Sequence, residues 1–373
     1  MRNKITLSIL ALLSATALAT ARAETKTDLS FGSGYQGNLF ADSNSTGDAF
    51  ATLGIDLQHY PSGSVQLAAS GHYNHFIEYE DLSNFIGDLS VVIIPTGNQS
   101  RTNLSLSGAF SIRHFGDAYE LYDQIGALIS ASLGYGLTPG IFLHSSAAFV
   151  NTSYTNADYG SSRSLDLSTG INLTLFGANS FALKGDFTTR SIDQLITAST
   201  SGSGHGSGNE QDNSDNYRTA GVSLRYSRPL SARTGFSFSA GYRWMHVDQG
   251  FAVYGYTIDY LSPWADMWEG PSFSAGLKHF FPHQIKADLS VARYDKSFVD
   301  IIESVDETEE SFWFESRDDK LTAITLSLSR PFSLSDGRLV TPSFNFSYRD
   351  NNSTAALYDY DDMVVSMSLA MNL

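Results

Sequence analysis

The chain of 373 residues carries 39 acidic and 23 basic side chains, and its formal net charge of −16 excludes a protein that binds nucleic acid through general attraction to phosphate. It contains no cysteine, which excludes a disulfide framework and thiol chemistry. Glycine is frequent, with 31 residues, and aromatic residues make up 13%, a composition typical of many strands joined by polar connections.

Residues 1–23 have the three parts of a secretory signal peptide. Arg2 and Lys4 are basic, an apolar run covers Ile5–Leu13, and a small-residue cleavage motif ends at Ala23. We therefore expect the mature chain, residues 24–373, to begin at Glu24. Its net charge would be −19, because three basic residues leave with the signal. The alternative is an uncleaved membrane anchor, which the short apolar run disfavours.

The segment Leu165–Arg190 shows the repeating unit of the mature chain. Apolar side chains recur at every second position from Leu165 to Leu175, with Thr169 as the exception, and after a short turn the alternation resumes from Phe181 to Phe187. This period of two predicts a β-hairpin with one apolar and one polar face. Each arm has about ten residues, which is the length of a tilted membrane-spanning strand and about twice that of an ordinary strand in a soluble protein.

About sixteen such segments follow one another along the chain. They cover residues 27–39, 49–60, 64–76, 83–94, 101–115, 120–136, 140–154, 162–176, 180–192, 217–228, 233–247, 270–281, 283–298, 319–330, 338–349 and 358–373. Short turns with proline or glycine alternate with longer polar loops, and Gly116–Tyr119 is the one short loop among the long ones. Turns at one end and loops at the other predict an all-β fold, a transmembrane antiparallel up-and-down β-barrel in the bacterial outer membrane.

Aromatic residues crowd the ends of the segments next to the short turns. At a membrane interface they would form a girdle around the periplasmic end of the barrel, although aromatic residues are also ordinary strand formers. The predicted girdle consists of Tyr60, Tyr135, Phe176, Phe181, Tyr226, Phe280, Phe281 and Phe332.

The last segment, DMVVSMSLAMNL, keeps its alternation up to Leu373. It resembles the final strand of the bacterial outer-membrane β-barrel superfamily, and of its porins in particular, in which a terminal apolar residue is read by the barrel-assembly machinery. Leu373 departs from the terminal phenylalanine that the family prefers. The opening segment GYQGNLFADSNSTGDAFATLGIDL is similar to the first hairpin of putative β-barrel porins. The resemblance implies a fold and a location, and no catalytic motif accompanies it.

A barrel of about sixteen strands is wide enough for an aqueous channel, so the residues opposite the lipid-facing rows are candidates for lining a pore. Acidic residues predominate in the first half and basic residues in the second, which predicts a transverse field across the lumen. The alternative is a narrow lumen filled with mixed ion pairs. The candidates are Asp56, Gln58, Asp88, Arg113, Asp123, Asp166, Lys184, Asp186, Arg225, Arg243, Lys278, Lys286 and Asp288.

Three loops carry distinctive compositions. Residues 248–269 are rich in Tyr, Phe and Trp, which either form a sugar-binding track or pack the loop into the barrel mouth, and packing is the commoner case. Residues 198–216 are rich in glycine and serine, and 299–319 form an acidic stretch without the ligand spacing of a calcium loop. His72 and His75 fall on opposite faces of one predicted strand, which disfavours a metal site.

These observations predict a passive diffusion channel for small hydrophilic solutes with a mild preference for cations. The alternative is a non-conducting barrel that serves as a surface-binding or export partner. We expect no catalytic residues, metal or cofactor, because no motif for them is present. The expected partners are outer-membrane lipid and lipopolysaccharide, small solutes and the barrel-assembly machinery, with a homo-oligomer as a further possibility.

Overall fold

The computed structural model describes residues 24–95, 101–156, 161–175, 178–193, 214–247, 251–253, 265–304 and 314–373. The predicted signal peptide, residues 1–23, lies outside the described residues and stays a prediction. No helix in the described ranges is long and apolar enough to cross a membrane.

The described chain is almost entirely strand. The strands are β1 (Glu24–Gln36), β2 (Asp48–Ser62), β3 (Val65–Phe76), β4 (Asn84–Ile93), β5 (Thr102–Phe115), β6 (Gln124–Thr138), β7 (Ile141–Tyr154), β8 (Ser162–Leu175), β9 (Asn179–Asp193), β10 (Ser214–Ser231), β11 (Thr234–Val247), β12 (Phe251–Val253), β13 (Gly270–Phe280), β14 (Lys286–Ser304), β15 (Phe314–Ser329), β16 (Phe332–Ser333), β17 (Leu339–Ser353) and β18 (Tyr360–Asn372). Short 3-10 helices cover Glu80–Leu82, Asp117–Tyr122, Pro282–Gln284 and Ala356–Tyr358.

Sixteen long strands close into one antiparallel barrel. Each pairs with its neighbour in sequence, and β1 pairs with both β2 and β18, so that Phe31 faces Leu53 on one side and Leu369 on the other. The two additional strands are short: β12 runs parallel to the end of β14, and β16 lies in the turn before β17. Closure removes the unpaired edges that an open sheet would leave in lipid, where backbone groups find no water.

The outer face of the barrel is apolar. Alternate residues of every long strand point outward, and the exposed ones include Phe31 at 52%, Ile129 at 70% and Met367 at 63%. Contact between water and an apolar surface of this extent costs free energy, whereas the hydrocarbon tails of lipids solvate such a surface. The predicted fold is therefore confirmed: the chain is a sixteen-stranded transmembrane barrel with the porin-like architecture of the bacterial outer membrane.

The two ends of the barrel differ as the sequence predicts. The start of β1 at Glu24, the end of β18 and the short turns share one end, and in the turn before β9 Ala178 adopts a positive φ of 63°. The long loops share the other end, which we call the mouth. By the convention of this fold, the turns are periplasmic and the mouth is extracellular.

Five of the girdle residues lie on the outer rows at the short-turn end. Tyr135, Phe281 and Phe332 are exposed, and the rings of Phe181 and Tyr226 contact each other in a tilted arrangement with centroids 4.9 Å apart. Phe280 was predicted wrongly, because it shares the inner row with Lys278. Tyr60 was predicted wrongly, because it shares the inner row with Gln58 and its hydroxyl donates to that side chain at 2.8 Å. Phe176 lies outside the described residues.

Four predicted boundaries at the mouth were also wrong. Strands β10, β14 and β15 run further toward the mouth than the alternation showed, so part of the acidic stretch 299–319 belongs to a paired extension. The connection after β5 is longer than predicted: it runs from Gly116 to Asp123 and contains a 3-10 helix. Polar and acidic side chains hide strand periodicity where the strands leave the membrane, because neither face is apolar there.

Candidate functional site

The inner wall of the barrel is built largely from small hydroxyl side chains. Directly paired hydroxyls on neighbouring strands hydrogen-bond to each other at several places around the wall. These pairs are Ser105 with Ser132, Ser107 with Ser130, Ser146 with Ser168, Ser239 with Ser274 and Ser343 with Ser368, at 2.6–2.8 Å. Small side chains leave the interior of a sixteen-stranded barrel open, and their hydroxyls can hydrogen-bond to water and polar solutes.

The pairing of the strands settles which charged residues share the inner rows. Counting by twos from the exposed apolar positions, the inner rows hold twelve of the thirteen predicted pore residues: Asp56, Gln58, Asp88, Arg113, Asp166, Lys184, Asp186, Arg225, Arg243, Lys278, Lys286 and Asp288. Whether solutes contact them in passage stays a prediction.

The structure places the thirteenth residue, Asp123, elsewhere. It precedes β6 on the row of the outward Ile125 and is only 5% exposed. Its carboxylate accepts the backbone N–H of Phe115 at 2.7 Å and contacts the His114 ring at 2.6 Å. The amide of Asn156 also donates to it, at 3.1 Å. Asp123 therefore fastens three chain segments at the mouth, since its acceptor sites are taken up by the protein.

Further charged residues join the inner rows where sequence reasoning did not name them. Asp28 faces Asp56 across β1 and β2, and Arg190 stands on β9 two positions beyond Thr188. Lys296 stands on the inner row of β14, near the mouth end of the predicted segment 283–298. Alternation from Phe31 and Phe187 could have identified the first two, whereas Lys296 lies near the mouth, where the apolar signal is lost.

Charge is unevenly distributed around the inner wall. On β1–β4 acidic residues outnumber basic ones, whereas on β9–β14 basic residues outnumber acidic ones. Ion pairs occur within the basic side: Asp288 lies 3.6 Å from Lys278 and 2.7 Å from Lys286, and Lys184 lies 4.0 Å from Asp186. Local ion pairs thus stand inside an overall separation of charge, and the transverse field across the lumen stays a prediction.

On one side of the mouth three loops pack together. Leu39, Leu82, Phe115 and Tyr122 are buried against one another, and we call this group the first mouth cluster. The loops approach so closely that a Cβ atom at Gly116 would lie 2.6 Å from the Cα of Asp81, so only glycine fits there.

The neighbouring Tyr119 packs at the edge of the first mouth cluster. Burial, together with the nearby phenols of Tyr122 and Tyr79, raises the pKa of the Tyr119 phenol. The phenol therefore stays neutral to a higher pH than a free tyrosine does.

A second mouth cluster lies against strands β9–β14. It consists of Ile192, Tyr217, Val247, Met267, Trp268 and Phe298, all buried. The Trp268 ring lies between two cations, with its centroid 4.6 Å from the Arg243 guanidinium and 5.7 Å from the Lys296 ammonium.

The loop that carries Trp268 is also tied to the wall through its backbone. Arg243 donates to the carbonyl of Asp266 at 3.0 Å, and Glu269 exchanges two backbone hydrogen bonds of 2.8 Å with Ser297. For the described part of the aromatic loop, 265–269, packing is therefore the observed arrangement. The remaining aromatic side chains of that loop, and most of the loop at 198–216, lie outside the described residues.

No group of three or more His, Cys, Asp or Glu side chains in the described ranges is arranged to hold a metal ion. His72 and His75 stand on opposite rows of β3, His72 inward and His75 outward. The inner rows of the described strands are therefore polar and charged.

Comparison with known proteins gives only structural likeness. No family model and no curated protein matches the chain. Among solved structures it is similar to Acinetobacter baumannii OccAB1, with 8% identity, a TM-score of 0.47 and coverage of 95% of this chain and 98% of that chain. It is similar to Pseudomonas aeruginosa OprD, with 12% identity, a TM-score of 0.45 and coverage of 94% and 95%. It is also similar to the outer membrane protein OpdK of Pseudomonas aeruginosa, with 10% identity, a TM-score of 0.40 and coverage of 94% and 99%.

Proposed function

We propose that the protein is an outer-membrane channel for the passive diffusion of small hydrophilic solutes, and that it mildly prefers cations. One observation carries the proposal: a closed barrel of sixteen strands is apolar outside and lined inside by small hydroxyl and charged side chains. A barrel of this size whose interior is not filled by large side chains leaves a water-filled lumen. We propose no catalysis and no resident cofactor.

The preference for cations follows from the net charge. A mature chain at −19 with acidic stretches near the mouth concentrates cations there relative to anions. The basic residues on β9–β14 oppose this inside the lumen, so the preference should be modest. Screening acts over about 10 Å at 0.1 M salt and about 3 Å at 1 M, so the preference should fade at high salt.

Liposome swelling tests the diffusion of solutes. Proteoliposomes that contain the folded barrel should swell in isotonic solutions of small neutral sugars, and the rate should fall as the sugar grows. Protein-free liposomes give the baseline. If swelling does not exceed that baseline, the alternative of a non-conducting barrel that binds a surface or export partner is favoured.

The ion preference has its own test in reversal potentials across a salt gradient. Replacing Lys278 and Lys286 by glutamine frees Asp288 from both ammonium groups, and replacing them by glutamate adds two further negative charges. Both double variants should strengthen the cation preference, the glutamate variant more. The control Arg228→Gln removes an exposed outward charge at the same end of the barrel. Anion preference in the unmodified channel would contradict the proposal.

Lipid, lipopolysaccharide and the assembly machinery stay proposed partners on the grounds of the fold. A homo-oligomer is proposed as a possibility only.

A further inference from the structure

His72 stands on the inner row of β3, inside the acidic part of the wall. Its Nε2 atom lies 3.3 Å from a carboxylate oxygen of Asp56. The side chains are 39% and 40% exposed, so both can exchange with the lumen solvent.

A glycine on the neighbouring strand sets the position of this imidazole. His72 pairs with Gly54 on β2, and a Cβ atom at Gly54 would lie 2.4 Å from Nδ1 of the ring. The imidazole therefore occupies the space that any larger residue at position 54 would need. Lying across β2 in this way, the ring reaches the carboxylate of Asp56, two residues further along that strand.

Three carboxylates lie in one register row beside His72, and Asp56 is the one that contacts the imidazole. Asp28 on β1 pairs with Asp56 on β2, Asp56 pairs with Ser70 on β3, and Ser70 pairs with Asp88 on β4. Asp28 accepts from the Asn372 amide at 2.9 Å and Asp88 accepts from the Ser70 hydroxyl at 3.2 Å. Neither of these donors carries a charge, so neither bond neutralises its carboxylate.

The other ionisable groups on these strands leave the row negative. Lys26, on the inner row of β1, lies 3.3 Å from Glu24. The direct partner of His72 on β4 is the apolar Ile86, which in turn pairs with Arg113 on the inner row of β5. An arginine keeps its charge throughout this pH range, so it adds a constant cation beside three carboxylates. His75, on the same strand as His72, faces outward. Charge on the row therefore changes mainly through His72.

We propose that His72 makes the cation preference of the pore depend on pH. Histidine is the side chain whose charge ordinarily changes between about pH 5 and 8, whereas carboxyl groups ordinarily titrate near about pH 4. When His72 is neutral, the row attracts cations with three carboxylates. When it is protonated, it compensates the charge of Asp56, so the attraction weakens as pH falls. This inference rests on the proposed channel function.

The expected effect is small and measurable. A single charge about 8 Å from a permeating ion in water changes the local ion concentration about twofold. Because the same charge lowers the cation concentration and raises the anion concentration, the ratio of cation to anion permeability, from reversal potentials in dilute potassium chloride, should fall about fourfold between pH 8 and pH 5.

Four variants isolate His72. His72→Gln should hold the ratio at its pH 8 value at both pH values, and His72→Arg should hold it at the pH 5 value. His75→Gln is the matched control, because it removes an imidazole three residues away on the outer face. His144→Gln removes an imidazole from the inner row of β7. Both controls should keep the pH response.

The folding of each variant is checked first by its shift in gel mobility on heating, and His72→Asn replaces any His72 variant that does not fold. A pH response that persists in folded His72→Gln, or that disappears in His144→Gln alone, overturns the inference and leaves the channel intact. Channels that conduct with no pH response in the wild type also overturn it. If folded wild-type protein does not conduct at all, the proposed function fails and this inference fails with it.

Discussion

Arg317 and Asp319 are the most deeply buried ion pair in the described part of the barrel. Their side chains are 4% and 1% exposed, and their charged atoms lie 2.6 Å apart. The guanidinium is also stacked between the rings of Phe298, at 4.3 Å, and Tyr358, at 3.6 Å. The pair thereby connects the second mouth cluster to the connection between β17 and β18.

Breaking this pair should destabilise the mouth. Asp319→Ala leaves a buried guanidinium without its carboxylate, which typically costs about 3–5 kcal/mol, whereas replacing both partners by apolar residues costs much less. The control Asp318→Ala changes an exposed, outward neighbour. Denaturant unfolding of the detergent-solubilised barrel measures the difference. Equal losses in Asp319→Ala and Asp318→Ala would show that the buried pair contributes little.

A second residue-scale prediction concerns the periplasmic turn before β17. The side chain of Arg338 donates to Asp336 at 2.7 Å, and this hydrogen bond holds the pKa of the Asp336 carboxyl below its usual range. A depressed pKa in the folded state stabilises the protein above the ordinary carboxyl pKa, and the contribution is lost as pH falls through the folded value. Both groups are exposed, so the effect on stability is small.

Carbon-13 NMR of the carboxyl groups can follow this titration. Arg338→Ala should move the titration of Asp336 back toward the value of a free aspartate. An unchanged titration in that variant would rule out Arg338 as the cause.

At the scale of elements, one side chain, Trp268, holds residues 265–269 of the aromatic loop against the barrel wall through its contacts with Arg243 and Lys296. Trp268→Ala removes the ring held between Arg243 and Lys296, so the loop should leave the wall more often and the channel current should become noisier. Trp244→Ala is the control, because Trp244 is 49% exposed on the outer face of β11. Single-channel recordings compare the two. Matching current traces would mean that the backbone bonds of Glu269 suffice to hold the loop.

The acidic connection between β14 and β15 gives another prediction at this scale. Deleting 303–315 removes the outermost pairs of these strands, Glu303 with Glu315 and Ser304 with Phe314. The barrel should still fold with nearly unchanged conductance, because extracellular loops seldom hold a barrel together. The cation preference should weaken, since several acids leave with the segment. A variant of full length with the acids changed to Asn and Gln separates charge from length, and failure of the deletion to insert would make the segment structural.

Much of this element scale could be predicted from sequence, and the failures have a common cause. In the hairpin Leu165–Arg190 alternation gave both strands and the turn, because lipid demands an apolar side chain at every outward position. The same alternation put Lys278 and Lys286 on the inner row. Outside the membrane the outward residues need not be apolar, so the alternation is lost there. The extensions of β14 and β15 and the true length of the Gly116–Asp123 connection therefore could not be predicted from the sequence. Asp123 was misplaced for this reason.

Tertiary contacts account for the other differences. The pairing of Asp28 with Asp56 depends on the register between β1 and β2, and the burial of Trp268 depends on a loop that folds back onto the wall. The alternation of one segment carries neither kind of information.

On the scale of the whole molecule, the alternation of apolar and polar side chains along each strand produces both the apolar outer surface and the polar inner surface of the barrel. Closure through β1 and β18 satisfies the backbone, the exposed apolar rows match the hydrocarbon, and the small hydroxyl residues keep the interior open. In the proposed channel the charged side chains attract or repel the ions that enter, since acids predominate on one side of the wall and bases on the other. A channel with a modest preference for cations is the function that this arrangement supports best.

Single-channel recording in a planar bilayer tests that conclusion most directly. Purified protein that shows a β-type circular dichroism spectrum and a heat-dependent gel mobility should insert in discrete steps of equal size, each with a near-linear current and a cation preference that fades at high salt. Protein unfolded by heating before addition should give no steps. Folded protein that inserts into the membrane and yet conducts no ions would contradict the account.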